Sequence, residues 1–361
     1  MEPPSFLPAG LYGSAAVAEA EARHYCPRFW HPLLPQDALP EGHALALEFL
    51  GLPLLLTHPP GGPRLFVNRC PHRAVALLAP SACSVAHSDG AANGEAQPCR
   101  RLICPYHGWT YDLHGQLRSA AREADFLGPF RRDDWPLEAL PLQECAGLLW
   151  GAIAADPLPL EQQLDLVLTE AGDALKQPRQ LLGSLHRSLA CDWKIAHENT
   201  LDDYHVAIAH PTTLHRDQGP VRHYRHRLGT WANLLATPMA GSEFLTFGLP
   251  PWLHLLLWPD GRLVCVQFQP DGPERCRLVL WLLGDAALRP QAAELLAQLE
   301  AFLEEDRQLM EAAQVGYTAR LPFRSGPPHR LEQRIVHHQA LYRQLLANSE
   351  AFQAAAAGSS W

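Results

Sequence analysis

The sequence predicts an α+β protein in two parts: an all-β N-terminal domain, then an antiparallel sheet with helices gathered on it. Three observations predict it. Strand-like runs bounded by Gly, Pro or His-Gly crowd residues 44–153, the Asp156-Pro-Leu-Pro159 segment interrupts them, and strand and helix periodicities then occur in blocks. Residues 1–40 read as an N-terminal arm with a helix, 41–155 as the β domain, and 156–361 as the second domain.

In order, the arm is Pro-rich with one short Ala/Glu helix near Val17–Arg23. ALALEFLGLPLLL, RLFVNRC, RLICPYHGWTYDLHGQL and LLWGAI are the strand segments of the first domain. The small-polar stretch Ser81–Pro98 reads as an exposed loop. Glu161–Lys176 has helical spacing, Leu185–Trp193 alternates as a strand, and Lys194–His210 reads as a helix stopped by Pro211. Strands dominate His223–Leu283, two helices follow at Pro290–Val315 and Pro328–Phe352, and an Ala/Gly/Ser tail ends the chain.

Composition narrows the function classes. At 361 residues, 47% hydrophobic and 19% charged, the chain can bury a large core without disulfides. Its net charge of −9 offers no broad basic surface for nucleic acid or anionic lipid. No apolar run reaches the roughly 18 residues of a membrane span, and the first residues have neither a basic nor an apolar signal region. The expectation is a cytoplasmic protein with no nucleic-acid or membrane partner. Nine scattered cysteines form no secreted disulfide framework, so clustered ones point to metal.

Two constellations carry the chemistry. Cys70-Pro-His72-Arg and Cys104-Pro-Tyr-His107-Gly-Trp are Cys/His pairs on tight turns that end strands. Together they supply two thiolates and two imidazoles, which suits a tetrahedral zinc or a Rieske-type 2Fe–2S cluster with two chemically distinct irons. One Cys and one His per turn favours the cluster, because zinc sites more often pair like ligands. Further on, Asn199-Thr-Leu-Asp202-Asp203-Tyr204-His205-Val-Ala-Ile-Ala-His210 sets two histidines five residues apart, with Asp202 three before His205 and expected on the same helical face. A 2-His-1-carboxylate iron site needs one more carboxylate. In Pro290–Val315 the stripe Leu295, Leu299, Phe302, Leu309 and Ala313 places Asp306 on the buried face, where an unpaired carboxylate is costly. Glu304 and Glu305 are expected to point elsewhere.

CPHR and CPYHGWTY resemble the Rieske domain of the Rieske non-haem iron oxygenases, the family that includes the aromatic-ring-hydroxylating dioxygenase alpha subunits. Tyr106 and Val75 stand where respiratory Rieske proteins carry extra cysteines. The family's Asn-x-x-Asp-x-Tyr-His-x4-His motif matches Asn199, Asp202, Tyr204, His205 and His210, and its Asp-(x)4-Glu-x-x-Gln motif matches Asp306, Glu311 and Gln314. Two features depart from the family. Ala74 replaces the usual Gly, and the 31 residues between His72 and Cys104 contain a surplus, with Cys83 and Cys99 in or beside it.

The resemblance implies an N-terminal Rieske domain followed by a helix-grip catalytic domain. It implies a 2Fe–2S cluster on Cys70, His72, Cys104 and His107, and a mononuclear Fe(II) on His205, His210 and Asp306 with O2 as co-substrate. Electrons come from NAD(P)H only indirectly, through a ferredoxin or flavin reductase. The short single chain resembles the homotrimeric branch, in which Asp202 bridges the cluster His107 of one subunit to His205 of the next; Asp203 has the wrong offset for that motif. The expected reaction is monooxygenation or demethylation of a small organic substrate. Cis-dihydroxylation of an aromatic ring and a non-catalytic Rieske electron-transfer protein are the alternatives. Trp231, Phe244, Phe247, Trp252 and Trp258 fall where a pocket is expected, as an aromatic cage, a flat slot or plain core. The Pro211–Gly219 loop is placed at its entrance.

Overall fold

The structure, a computed structural model, describes residues 5–79, 95–210, 219–319, 321 and 323–357. Cys83, most of the Ser81–Pro98 segment and most of the Pro211–Gly219 loop lie outside the described residues. The chain divides into two compact units, Trp30–Pro157 and Met1–Phe29 with Leu158–Trp361.

The first unit is all β. One sheet has the order Gln97–Pro98, His43–Phe49, Leu52–Thr57, Arg64–Val67, Ala139–Leu140. A second sheet joins Trp30–Pro35, Leu148–Ala152 and Leu142–Cys145, and a third Leu102–Ile103, Thr110–Tyr111 and Leu117–Ser119. Its core packs Leu55, Phe66, Leu102, Trp109, Tyr111 and Leu117 around Cys70 and Cys104, so both thiols are drawn into an apolar interior.

The second unit is built on a seven-stranded antiparallel sheet, ordered Gln180–Leu189, Cys276–Gly284, Leu263–Pro270, Leu253–Leu257, Ser242–Leu249, Asn233–Met239, Arg225–Leu228. Register carries one face across it: Leu235 stands opposite Thr246, Thr246 opposite Leu256, and Leu256 opposite Val264. Because side chains alternate along a strand, Phe244 shares that face and Phe247 does not. The helices Trp193–Leu201, Ala292–Tyr317 and Gln333–Leu346 pack in this unit.

Several boundaries differ from the sequence expectation. Trp193 starts a helix instead of ending a strand, because the Asp192 side chain caps the backbone N–H of Lys194 at 2.9 Å. That helix stops at Leu201 rather than running to His210. Asp202 is extended, with φ −84° and ψ 103°, and its Oδ1 accepts the N–H groups of Tyr204 (2.8 Å) and His205 (3.3 Å). An Asp side chain that satisfies the next two backbone donors competes with the helix and ends it. A four-residue turn of helix, Val206–Ala209, then leads to His210. The last helical stretch is two helices, Gln333–Leu346 and Glu350–Ala357.

Of the 1–40 segment set apart as an arm by its composition, residues 5–29 are packed into the second unit. The buried Glu21 carboxylate accepts Lys194 Nζ at 2.7 Å, Trp193 Nε1 at 2.9 Å and the Tyr342 hydroxyl at 2.5 Å. Tyr12 donates its hydroxyl to Glu198 at 2.7 Å, and Gly13 N–H reaches Asp192 at 3.0 Å. The N-terminal segment thus supplies partners that complete the bonding of these buried polar groups, Lys194 also bonding Asp192 and Glu198 also accepting from Gln339. No helix among the described residues is long and apolar enough to cross a membrane.

Candidate metal centres

Cys70 and Cys104 sit in two loops of the same backbone design. In one, Ala74 N–H donates to Cys70 O and Cys70 N–H to Val75 O, both at 2.8 Å; in the other, Gly108 donates to Cys104 (3.0 Å) and Cys104 to Trp109 (2.8 Å). Each turn needs a left-handed residue four positions after its cysteine. Gly108 supplies it at φ +70°, and Ala74 adopts it at φ +59° despite its Cβ. The loops bring the His72 and His107 rings to 4.5 Å, with Trp109 stacked on His72 at 5.0 Å.

The donors are arranged asymmetrically. Both thiols are buried, Cys70 Sγ lying 3.6 Å from the Tyr111 hydroxyl, while His107 is exposed and His72 half-buried. Burial, with the charges of His107 and Arg73, holds His72 below its usual pKa, which keeps the imidazole neutral and able to ligate. Its Nδ1 is buried without a hydrogen-bond partner. Among the described residues, one group of three or more His, Cys, Asp or Glu has donor atoms all within 4.8 Å of one another, and it is not in these loops. Two buried thiols and two more exposed imidazoles supply two chemically different pairs of donors. They fit a two-iron cluster with thiolates inside and imidazoles outside.

That one group is His205, His210 and Asp306. Asp306 Oδ1 lies 2.9 Å from His210 Nε2 and 3.3 Å from His205 Nε2, and the two Nε2 atoms are 3.2 Å apart. The long helix delivers Asp306 from its buried stripe, Ala292, Leu299, Asp306, Met310 and Gln314. Leu309, expected on that stripe, is 48% exposed, because the helix is rotated so that Met310 takes the buried position. Gln314 fixes the rotation by accepting Asp192 N–H at 2.7 Å, and Glu311 accepts Ala190 N–H at 3.2 Å.

Electrostatics fit a cation here. Burial penalises charge on His205, yet hydrogen bonds and attraction from Asp202 and Asp306 outweigh it and hold its pKa at about 10. His210 is raised against burial in the same way, by Asp306 and Glu305, and Asp306 is held low against burial by the two imidazoles. Protons thus occupy the charge-stabilising role of a metal ion in a site with this donor set. Asp202 Oδ2 stands 3.5 Å from His205 Nδ1 and is partly exposed. Asp203 instead turns inward, accepting from Arg334 (3.0 Å) and paired with His226 (2.8 Å), a wholly buried structural pair.

Beside the trio lies a cavity of about 50 Å³ lined by Asn199, Thr200, Phe244, Leu256, Val266 and Phe302 among others. Of the five aromatics considered for a cage, Phe244 alone lines it. Trp252 packs on Trp193, Trp231 on Phe29, and Trp258 on Phe244. The plain-core alternative thus holds for the others, and the lining is aliphatic and phenyl. A correction is Glu305, which does not point away: its Oε2 is 2.6 Å from His210 Nδ1. Sequence reasoning missed it because only the exact rotation of the helix brings residue 305 to the histidine.

Over residues 29–130 the chain matches the Rieske [2Fe-2S] domain, and over 180–348 the ring hydroxylating alpha subunit (catalytic domain). The chain belongs to the Rieske ring-hydroxylating oxygenase family. Similar members include the carnitine monooxygenase oxygenase subunit of Escherichia coli (strain K12), 25% identical over 71% of this chain and 69% of that one. The carnitine monooxygenase oxygenase subunit of Acinetobacter pittii is 30% identical, but the match spans 41% of this chain and only 36% of that subunit's length. The 5,5'-dehydrodivanillate O-demethylase oxygenase subunit of a Sphingobium species is 28% identical over 55% of this chain and 42% of its own. Among solved structures, the quaternary ammonium Rieske monooxygenase CntA superposes with a TM-score of 0.80 at 21% identity, covering 95% and 96% of the two chains. Naphthalene 1,2-dioxygenase from a Rhodococcus species gives 0.75 at 17%, covering 95% of each. At these identities the superpositions establish a shared fold. For this Rieske oxygenase chain, the expected order of an N-terminal Rieske domain and an α+β catalytic domain is the order observed.

Proposed function

We propose that the chain is the terminal oxygenase component of a monooxygenase or demethylase acting on a small organic substrate. The observation that carries this reading is the convergence of His205, His210 and Asp306, contributed by segments about a hundred positions apart, next to a cavity. Those three residues would hold a mononuclear Fe(II), and Cys70, His72, Cys104 and His107 a Rieske 2Fe–2S cluster. When bound, the iron supplies O2 activation and the cluster supplies electrons one at a time.

The chain's own residues then do the following. Phe244, Leu256, Val266 and Phe302 exclude water and hold an apolar group against the site. Asn199 lines the cavity with an amide nitrogen that has no hydrogen-bond partner, a donor available to substrate. Asp202 orients His205 and, in a head-to-tail homotrimer, bridges it to His107 of the partner subunit. A ferredoxin or a flavin reductase, drawing on NAD(P)H, is the electron donor.

Monooxygenation or demethylation is preferred here to ring dihydroxylation. The relatives named for carnitine monooxygenation and O-demethylation agree with that preference.

The test is iron, zinc and acid-labile sulfide per chain on anaerobically purified protein. About three irons and two sulfides support the reading. About two of each, unchanged by added Fe(II), leaves an electron carrier, and zinc without sulfide overturns it.

A further inference from the structure

The two histidines of the trio are supported unequally. His210 Nε2 faces Asp306 at 2.9 Å and His205 at 3.2 Å, so Nε2 is the atom turned to the shared point. Its other nitrogen, Nδ1, meets Glu305 Oε2 at 2.6 Å, a charge-assisted length. A carboxylate only accepts, so Nδ1 donates to Glu305, and with the ring held by that bond Nε2 is the nitrogen left to ligate a metal in place of its own proton. The ring is wholly buried, and Glu305 is one-third exposed beside an open groove lined by Tyr204, Ile208, Ala209, Gln308 and Leu309. The corresponding atom of His205, Nδ1, stands 3.5 Å from Asp202, whose other oxygen is committed to the turn after Leu201.

We infer that Glu305 is the positioning residue of the mononuclear site, fixing the His210 tautomer and ring plane so that Nε2 stays aimed at the metal. Consecutive residues of one helix therefore serve both sides of the site: Asp306 as a direct ligand, Glu305 through His210. Asp202 meets His205 alone, so a change of its partner leaves His210 held by Glu305. Outer carboxylates on metal-bound histidines raise ligand basicity and hold orientation, and their loss typically costs about 10–100-fold in metal affinity. The inference rests on the metal site proposed above, and the experiment separates the two.

The mononuclear metal is stripped while the cluster is kept, and Fe(II) affinity is measured by anaerobic equilibrium dialysis for wild type, Glu305→Gln and Glu305→Ala. The expected result is about 10–100-fold weaker binding for Glu305→Ala, and a smaller loss for Glu305→Gln, whose amide oxygen still accepts from Nδ1. Cluster absorption and melting temperature are expected to match wild type. Acetate, reaching Nδ1 through the groove, should recover part of the affinity in Glu305→Ala, which a merely structural role would not allow. Wild-type affinity in Glu305→Ala overturns the inference while leaving the metal site standing. A wild-type protein that binds no Fe(II) overturns both.

Discussion

Asp306 Oδ1 lies 2.9 Å from His210 Nε2, although the residues are 96 positions apart. The histidine is delivered by a single helical turn and the carboxylate by a long helix locked in rotation through Gln314 and Asp192. Neither segment alone makes a site. Packing of the helices on one face of the seven-stranded sheet does.

Replacing that carboxylate is the sharpest test of the trio. Asp306→Ala should lose the mononuclear iron and all oxygenation, leaving the visible spectrum of the cluster intact. A variant that still hydroxylates substrate would show that Asp306 is not the third ligand.

Asp202→Asn should keep both metals and the local fold, because an Asn Oδ1 still accepts the N–H groups of Tyr204 and His205. What changes is the charge 3.5 Å from His205 Nδ1. Stopped-flow absorbance is expected to show substrate-dependent reoxidation of the cluster slowed at least about tenfold, of the order of 1.4 kcal/mol or more in barrier. Reoxidation at the wild-type rate removes Asp202 from the electron path.

Ala74 occupies the left-handed region at φ +59°, where its counterpart in the second loop is Gly108. Such a backbone costs an Ala about 1–2 kcal/mol, partly offset by the greater unfolded-state freedom of Gly. Ala74→Gly is expected to stabilise the Rieske unit by about 0.5–1 kcal/mol, read as a higher denaturant midpoint for loss of cluster absorption. A lower midpoint would mean that the loop tolerates Ala74 without strain.

Acid should weaken the second unit through three buried histidines. His254, His197 and His338 lie in a row with tilted rings 4.4 and 4.3 Å apart between centres, all buried. Burial pushes all three down, aided by nearby cations (Arg334 and His338 at His254, His338 and His254 at His197, His337 and Lys194 at His338), with His338 brought to about 3. Below about pH 6.5 the unfolded chain protonates them and the folded chain does not, so stability falls with pH. His205, raised to about 10, adds a smaller slope of opposite sign that fades as the unfolded chain protonates below about pH 6.5. Glu198, raised to about 7 by burial, works in the opposite direction, so the informative quantity is a difference. Relative to wild type, His254→Leu should lose about 1 kcal/mol less between pH 6.5 and 5.5 in urea titrations. Parallel pH dependences would contradict this.

Much was readable without coordinates because the informative residues are close in the chain. Cys70 and His72, Cys104 and His107, and His205 and His210 each fall on one short segment, where spacing dictates what can converge. The two-part α+β plan followed from strand runs and the break at Asp156–Pro159. Asp306 was reachable from helical periodicity, since a carboxylate on an apolar stripe needs a partner. The tertiary structure decided what periodicity leaves undetermined: rotation of the long helix, which exposes Leu309 and brings Glu305 to His210, and the turn at Asp202, which ends a helix expected to continue. It also buried Glu21 against Lys194 and Trp193, drawing residues 5–29 into the second unit, and sent Asp203 to Arg334 instead of toward the site. The physical reason is common to all of these. Local sequence sets which groups must be satisfied, whereas the partner that satisfies them is chosen by the packing of segments a hundred or more positions away.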